Sequence, residues 1–203
     1  MPRLLLATHN QGKVREYRLL LQGLPFQLAT LGDVGIQDVM AEEGSTFEEN
    51  ARAKAEGYGA LSGLLTLGED SGLEVEALGG EPGGRSARYA GDHASDTELV
   101  RYLLARMDGV PRDRREARFR CVIALSGPGR ETEQFSGECP GLIAFEPQGE
   151  GGFGYDPVFY LLELGKTLAQ LTKEAKNQVS HRAQAARQAR HRLEQLRLEA
   201  SHR

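Results

Sequence analysis

Leu67-Gly68-Glu69-Asp70-Ser71-Gly72 lies between two strand-like runs and places two neighbouring acids at their junction. Residues 64–67 are apolar, and residues 73–78 alternate apolar and acidic side chains. Alternation with a period of two is typical of a half-buried strand, so we expect the acids where one strand hands over to the next. Because neighbouring side chains of a strand point to opposite faces, Glu69 and Asp70 are expected to have different roles.

Two explanations of these acids are open at this point. A carboxylate at a strand end can bind Mg²⁺ or accept a proton from an attacking water. Asp and Gly are also the usual residues of a simple turn. The other motifs of the chain decide between the two.

The size and composition of the chain indicate one soluble domain of 203 residues, with 39% apolar and 27% charged residues. Its net charge of −4 argues against a dedicated nucleic-acid-binding surface. Cys121 and Cys139 lack the spacing of a zinc or disulfide set, which indicates a reducing compartment. The run at residues 3–7 is too short for a secretion signal, and no apolar run would span a bilayer. We therefore expect a cytoplasmic protein with neither a nucleic-acid nor a membrane partner.

The N-terminal segment predicts a strand at residues 4–7, a loop at residues 8–13 and a helix at residues 14–21. Backbone N–H groups of such a loop and the helix N-terminus can face an anion, to which Lys13 would add a full positive charge. The spacing of a Walker loop is missing. An ordinary strand-to-helix turn with a solvated lysine is the alternative.

A capping box, Thr46-Phe47-Glu48-Glu49, predicts the start of a second helix that reaches about residue 61. Ala51, Ala53 and Ala55 give this helix small faces for close packing. Asn50 and Lys54 lie one turn apart on one side, so they are expected to address one ligand together. Glu42, just before the helix, is either a metal ligand or a favourable charge at the helix N-terminus.

The rest of the chain predicts a mixture of strands and helices. A second strand with loops is expected at residues 28–39, a capped helix at 95–107, an antiparallel hairpin from 119–125 and 131–137, a strand at 142–145, a short helix at 161–172 and a long helix from residue 177.

A glycine-rich loop, Gly149-Glu150-Gly151-Gly152-Phe153-Gly154, matches the letters of a dinucleotide-binding motif. That motif requires a helix after the loop, and the residues that follow do not indicate one. Phe153 and Tyr155 are instead expected to stack on a flat ring, with Asp156 accepting a hydrogen bond from it. The alternative is a structural turn whose aromatic side chains belong to the core.

Ser180-His181-Arg182, with Lys176 just before it, places cations near the start of the C-terminal helix. The helix dipole disfavours cations at that position. Either these side chains are solvated, or an anion or a polar base edge lies nearby.

Taken together, six motifs resemble those of the inosine triphosphate pyrophosphatase family over nearly the whole chain. The first acid of the usual Asp-Asp pair is Glu69 here, while Asp70 keeps its place. The motifs are Thr8-x-Asn10-x-x-Lys13, Glu42-x-Gly44-x-Thr46-Phe47-x-Glu49-Asn50-Ala51-x-x-Lys54-Ala55, Asp70-Ser71-Gly72-Leu73, Ser86-Ala87-Arg88-Tyr89, Gly152-Phe153-Gly154-Tyr155-Asp156-Pro157 and Ser180-His181-Arg182.

This resemblance implies an elongated α/β fold with a mixed central sheet flanked by helices. Residues 1–203 would form a single bilobed domain, with the active site in the cleft between two lobes, and the chain would be a homodimer. The implied activity is hydrolysis of deaminated purine nucleoside triphosphates such as ITP, dITP and XTP to the monophosphate and pyrophosphate, which keeps them out of DNA and RNA.

The resemblance also implies a role for each site residue. Mg²⁺ would be held by Glu42 and Asp70, and Asp70 would be the general base. Lys13, Lys54 and the loop at residues 8–12 would bind the phosphates. The full set expected to bind substrate is Thr8, His9, Asn10, Gln11, Gly12, Lys13, Lys54, Ser71, Phe153, Gly154, Tyr155, Asp156, Lys176, His181 and Arg182.

Two other functions are compatible with the sequence. A related pyrophosphatase acting on pyrimidine or methylated nucleotides would use a similar fold. A non-catalytic nucleotide sensor or RNA-binding module is disfavoured, because paired carboxylates repel phosphates unless a metal intervenes.

Overall fold

The protein, described by a computed structural model over residues 1–40 and 44–201, is built on one mixed sheet with helices around it. The strands in this part of the chain are β1 (Arg3–Ala7), β2 (Gln27–Thr30), β3 (Leu65–Val75), β4 (Glu116–Ser126), β5 (Glu133–Ile143), β6 (Phe159–Leu161) and β7 (Lys166–Thr167). The α-helices are α1 (Gln11–Leu20), α2 (Phe47–Ser62), α3 (Asp96–Arg106), α4 (Lys173–Val179) and α5 (His181–Ser201).

The order of the strands in the sheet is β2-β1-β3-β4-β5-β6-β7. β1 pairs in parallel with β2 and with β3, whereas β6 pairs antiparallel with β5 and with β7. The connection between β4 and β5, residues 127–132, is too short for a parallel crossover, so these strands form the predicted hairpin. The predicted α/β class with a mixed sheet flanked by helices is therefore confirmed.

The chain divides into two compact units, of which the first holds residues 1–70, residues 121–137 and the chain from Arg182 onward. On β4, Ile123 packs in a cluster with side chains of α1 and α5, while its neighbours Val122 and Ala124 pack with Phe47 and two alanines of α2. Because side chains alternate along a strand, the two helix layers of this unit lie on opposite faces of β4.

The second unit holds residues 71–120 and 138–181 and has one large apolar cluster. Leu99, Val100 and Leu103 of α3 enter this cluster together with buried side chains of β3, β4, β5 and β6. Each unit buries one unpaired cysteine, Cys121 in the first and Cys139 in the second, with exposed fractions of 0% and 3%.

The structure corrects the expected strand boundaries around the two acids. β3 runs without interruption from Leu65 to Val75, so the Gly68–Gly72 stretch is strand rather than turn. β1 pairs with the first part of β3, where Leu6 lies opposite Leu67 and Ala7 opposite Gly68, and β4 is the neighbour of β3 on its other side.

The predicted elements near the C-terminus also need correction. Of the strand expected at residues 142–145, only residues 142–143 are strand, and they are the end of β5. The expected helix at 161–172 contains β7 and a 3₁₀ turn at Leu168–Gln170 instead. The expected long helix is two helices, because Ser180 takes an extended conformation between α4 and α5.

None of the helices in residues 1–40 and 44–201 has both the length and the apolar character needed to cross a lipid bilayer. The prediction of a single bilobed domain with its active site in a cleft stays a prediction.

Candidate active site

Asp70 lies on β3, and two side chains of α2 hold its carboxylate. Nδ2 of Asn50 donates to Oδ2 of Asp70 at 3.2 Å, and Nζ of Lys54 lies 3.0 Å from Oδ1. Asp70 is only 4% exposed and Asn50 6%. Asn50 and Lys54 contact the same carboxylate, that of Asp70, and the expectation that they address one ligand together stays a prediction.

The close approach of β3 to α2 depends on Gly68. A Cβ at this position would lie 2.5 Å from the carbonyl oxygen of Ala51 and 2.5 Å from the backbone nitrogen of Ala55. Ala51 and Ala55 are fully buried, whereas Ala53 faces solvent. Two of the three predicted small residues therefore form the contact that brings α2 within reach of the Asp70 carboxylate.

Glu69 has a different set of partners from its neighbour. Its Oε1 lies 3.3 Å from Nζ of Lys13, and its two oxygens accept from Nε and Nη2 of Arg182 at 3.2 and 3.0 Å. Nη1 of Arg182 donates to Oε2 of Glu16 on α1 at 2.6 Å. Glu69 and Asp70 therefore contact different side chains, and the difference between their roles stays a prediction.

The charges around Arg182 determine its ionisation. Burial alone would lower the pKa of the Arg182 guanidinium, but the negative charges of Glu69 and Glu16 outweigh burial and raise that pKa well above its ordinary value. Burial and then the Glu69 charge raise the pKa of the Tyr17 phenol and of the Cys121 thiol. Both of these neighbours therefore stay uncharged at neutral pH.

The predicted order of strand, loop and helix is present, but α1 begins at Gln11 rather than at Val14, so the loop is residues 8–10. Asn10 caps α1 by accepting a hydrogen bond from the backbone N–H of Lys13 at 3.1 Å, and its own N–H donates to Oγ1 of Thr8. The ring of His9 contacts the carbonyl of Asp38 through Nε2 at 3.3 Å. These contacts fix the backbone before α1, and Gln11 and Gly12 open its first turn.

In the second unit, Asp156 and Lys176 form a buried ion pair with exposed fractions of 3% and 5%. Oδ2 of Asp156 also accepts from the backbone N–H of Phe153 at 2.8 Å, and Nζ of Lys176 lies 4.9 Å from the centre of the Phe153 ring. Turns and β6 follow this glycine-rich loop, so it lacks the helix of a dinucleotide-binding motif, as expected.

The other predicted substrate-binding residues of this unit differ in accessibility. Tyr155 is buried in the core, where its hydroxyl donates to the carbonyl of Ser86 at 2.8 Å. The ring of His181 is also buried and is stacked on Phe119 with ring centres 4.7 Å apart. Gly154 and Ser71 are half-buried. The predicted contacts of these residues with a substrate stay predictions.

Of the two predicted metal ligands, the structure describes only Asp70. Within residues 1–40 and 44–201 there is no group of three or more His, Cys, Asp or Glu side chains that would hold a metal ion. Glu42, one of the two predicted ligands, lies outside the described residues.

Sequence reasoning missed Glu16 and gave Glu69 no partner. Glu16 follows Lys13 by one turn of α1, so its position beside Lys13 could have been predicted from helical spacing. The partners of Glu69 were not readable in this way, because Arg182 is separated from it by 113 positions in the sequence.

Comparison with known proteins shows similarity along nearly the whole chain. Residues 4–192 match the model of the Ham1 family. A protein of Geobacter sulfurreducens named dITP/XTP pyrophosphatase is 50% identical over 91% of this chain and 93% of its own length. One of the same name from Bacillus subtilis is 43% identical over the same shares.

Two solved structures are also similar to this chain over most of its length. The Ham1 protein of Staphylococcus aureus is 42% identical to this chain, with a TM-score of 0.84, and the match covers 95% of this chain and 98% of that one. A HAM1 protein of Coxiella burnetii is 38% identical, with a TM-score of 0.85 and the same coverage.

Proposed function

Because the chain belongs to the Ham1 family, we propose that it hydrolyses deaminated purine nucleoside triphosphates such as ITP, dITP and XTP. The products are the nucleoside monophosphate and pyrophosphate, and the reaction keeps these nucleotides out of DNA and RNA. The relatives named dITP/XTP pyrophosphatase support this substrate class. The observation that carries the proposal is the buried Asp70 carboxylate, fixed between Lys54 and Asn50.

The proposed cofactor is Mg²⁺, with Asp70 and Glu42 as its protein ligands. Mg²⁺ in phosphate-transfer sites takes one or two carboxylates and fills its other positions with water and phosphate oxygens. The buried, hydrogen-bonded Asp70 fits that donor set. When bound, the ion would neutralise phosphate charge and lower the pKa of a coordinated water.

The protein side chains divide the work of hydrolysis. Asp70 accepts the proton of the attacking water as general base. Lys13 and Lys54 bind the triphosphate with their ammonium groups, which Glu69 and Asp70 hold at 3.3 and 3.0 Å. The backbone of the loop at residues 8–12 faces the same anion from the start of α1.

Base recognition is proposed for the loop of Phe153 and Asp156 together with Lys176, His181 and Arg182. A 6-keto oxygen of hypoxanthine or xanthine accepts from such donors, whereas the 6-amino group of adenine would leave a buried donor unpaired. Each unpaired donor costs about 1–3 kcal/mol. Base selectivity of this size requires donors that are fixed before the nucleotide binds.

A panel of nucleoside triphosphates with pyrophosphate detection tests this proposal. We expect kcat/KM for ITP and XTP to exceed that for ATP by at least about 10-fold. GTP should be intermediate, and ribose and deoxyribose substrates should differ little. Chelation with EDTA should abolish turnover, and added Mg²⁺ should restore it.

The same panel of nucleotides also distinguishes the alternative functions. Preference for a pyrimidine or methylated nucleotide would assign the chain to a related pyrophosphatase. Binding of ITP without release of pyrophosphate would indicate a non-catalytic sensor. Equal turnover of ATP and ITP would contradict the proposed selectivity.

We further propose that the protein acts in the cytoplasm as a homodimer. The resemblance to the inosine triphosphate pyrophosphatase family supports the dimer, and the two unpaired, buried cysteines agree with a reducing compartment. Light scattering during size-exclusion chromatography should give twice the chain mass of 22.2 kDa. A mass of one chain would contradict the dimer.

A further inference from the structure

The carboxylate of Glu69 holds two cations that belong to different parts of the proposed substrate site. It contacts Lys13, proposed for the phosphates, and Arg182, proposed for the base. We propose that Glu69 is a positioning residue that fixes Arg182 and Lys13 and thereby sets the preference for 6-keto purines. This inference rests on the proposed function.

The guanidinium of Arg182 is held along two edges. Glu69 on β3 accepts from Nε and Nη2, and Glu16 on α1 accepts from Nη1. Bidentate carboxylate contacts fix the plane of a guanidinium as well as its position. Carboxylates from two different elements therefore set the direction of the Arg182 N–H groups before a nucleotide binds.

The charges in this group are balanced. Its two acids, Glu69 and Glu16, face two cations, Lys13 and Arg182, and the four side chains are between 2% and 15% exposed. Removal of one partner from a buried ion pair leaves an uncompensated charge and is strongly unfavourable. The four side chains are therefore coupled, and the loss of Glu69 would remove one contact of Lys13 and the contacts that hold Nε and Nη2 of Arg182.

The length of Glu69 matters as well as its charge. An aspartate is shorter by one methylene, which corresponds to about 1.5 Å. The contacts of Glu69 with Lys13 and Arg182 are already 3.0–3.3 Å long. The same carboxylate drawn back by that amount would lose hydrogen-bonding distance to both cations. Glu69→Asp therefore keeps the charge and removes the reach.

Calorimetric binding of IMP and AMP in EDTA tests the inference without catalysis or metal. We expect Glu69→Asp to weaken IMP binding by about 10-fold, the scale of a hydrogen bond to a charged group, and AMP binding by much less. Glu16→Gln is the matched variant, since Glu16 accepts from Nη1 of the same guanidinium. It should shift the IMP-to-AMP ratio in the same direction by a smaller factor.

Kinetics separates positioning from metal binding. Glu69→Asp should raise KM for ITP while kcat stays within about 3-fold and the Mg²⁺ concentration for half-activation stays unchanged. If Glu69 acts through Arg182, adding Glu69→Asp to Arg182→Ala should leave the ITP-to-ATP ratio where Arg182→Ala alone places it. A purely structural effect would lower activity on both nucleotides equally.

Three outcomes would overturn the positioning role: an unchanged IMP-to-AMP ratio, a raised Mg²⁺ requirement, or additive effects with Arg182→Ala. If Glu69→Asp does not fold, Glu16→Gln decides by the same ratio, and no change in that ratio counts against the inference. A wild-type enzyme without preference for ITP would contradict the proposed function instead. A preference for ITP that survives Glu69→Asp would contradict only the role of Glu69.

Discussion

Replacing Asp70 by Asn should lower the turnover of ITP by about 100-fold or more, the scale of a lost general base, while the protein remains folded. Asn keeps the shape of the side chain but cannot accept a proton from water. It can also accept only one of the two hydrogen bonds that Asn50 and Lys54 now donate to the carboxylate. Steady-state kinetics with pyrophosphate detection, at saturating ITP and Mg²⁺, measures the effect.

A matched control for this change is Asp92→Asn, which makes the same substitution at an exposed carboxylate. It should leave kcat and KM unchanged. A thermal melt of each variant shows whether the loss is one of chemistry or of folding. Near-normal turnover by a folded Asp70→Asn protein would remove Asp70 from the mechanism.

Gly68→Ala should destabilise the protein by about 3 kcal/mol, the upper end of the usual cost of overpacking. The added methyl carbon would lie 2.5 Å from backbone atoms of Ala51 and Ala55 and 2.9 Å from the Ala55 Cβ. Helix backbone cannot turn aside as a flexible side chain can, so β3 and α2 must separate. We expect the melting temperature to fall by about 6–12 °C in a chain of this size.

Gly59→Ala is the control for this prediction, because Gly59 lies on α2 and the added methyl group there meets no backbone atom at such a short distance. Its Cβ would find its nearest neighbour, Oγ1 of Thr66, at 3.4 Å. Alanine is more favourable than glycine in a helix interior by about 1 kcal/mol. The melting temperature of this variant should therefore be unchanged or slightly higher. Equal melting temperatures for the two variants would show that the contact of Gly68 with α2 is not tight.

The separation of β3 from α2 in Gly68→Ala should also lower the catalytic rate. Asn50 and Lys54 alternate along α2 with the two alanines that Gly68 contacts. A shift of the strand would therefore lengthen the hydrogen bonds that Asn50 and Lys54 donate to Asp70. We expect any folded Gly68→Ala protein to lose kcat as well as stability.

Local sequence signals predicted much of the fold. The capping boxes at Thr46 and Ser95 begin α2 and α3 where expected, because each box satisfies backbone N–H groups within a few residues of itself. The order of β1 and α1 follows from a change in apolar period over adjacent residues, although α1 begins at Gln11 and not at the predicted Val14. Such signals need no information from distant parts of the chain.

The errors have a common physical origin in long-range pairing. Gly, Asp and Ser favour turns locally, yet β3 stays extended through them, with β1 paired to its first residues and β4 as its other neighbour in the sheet. β6 and β7 are too short for a recognisable alternation and exist because they pair with each other and β6 with β5. The contact of Glu69 with Arg182 depends on the same tertiary placement.

Each unit contains one buried cysteine, so the rate at which that thiol reacts measures how often its own unit opens. Burial, and then the Asp156 charge, raises the pKa of the Cys139 thiol to about 11, and the pKa of the Cys121 thiol is raised as well. A thiol-reactive reagent at pH 8 should therefore modify neither residue until the surrounding structure opens. Mass spectrometry that resolves the Cys121 and Cys139 peptides would give two separate protection factors from one sample, without an engineered probe.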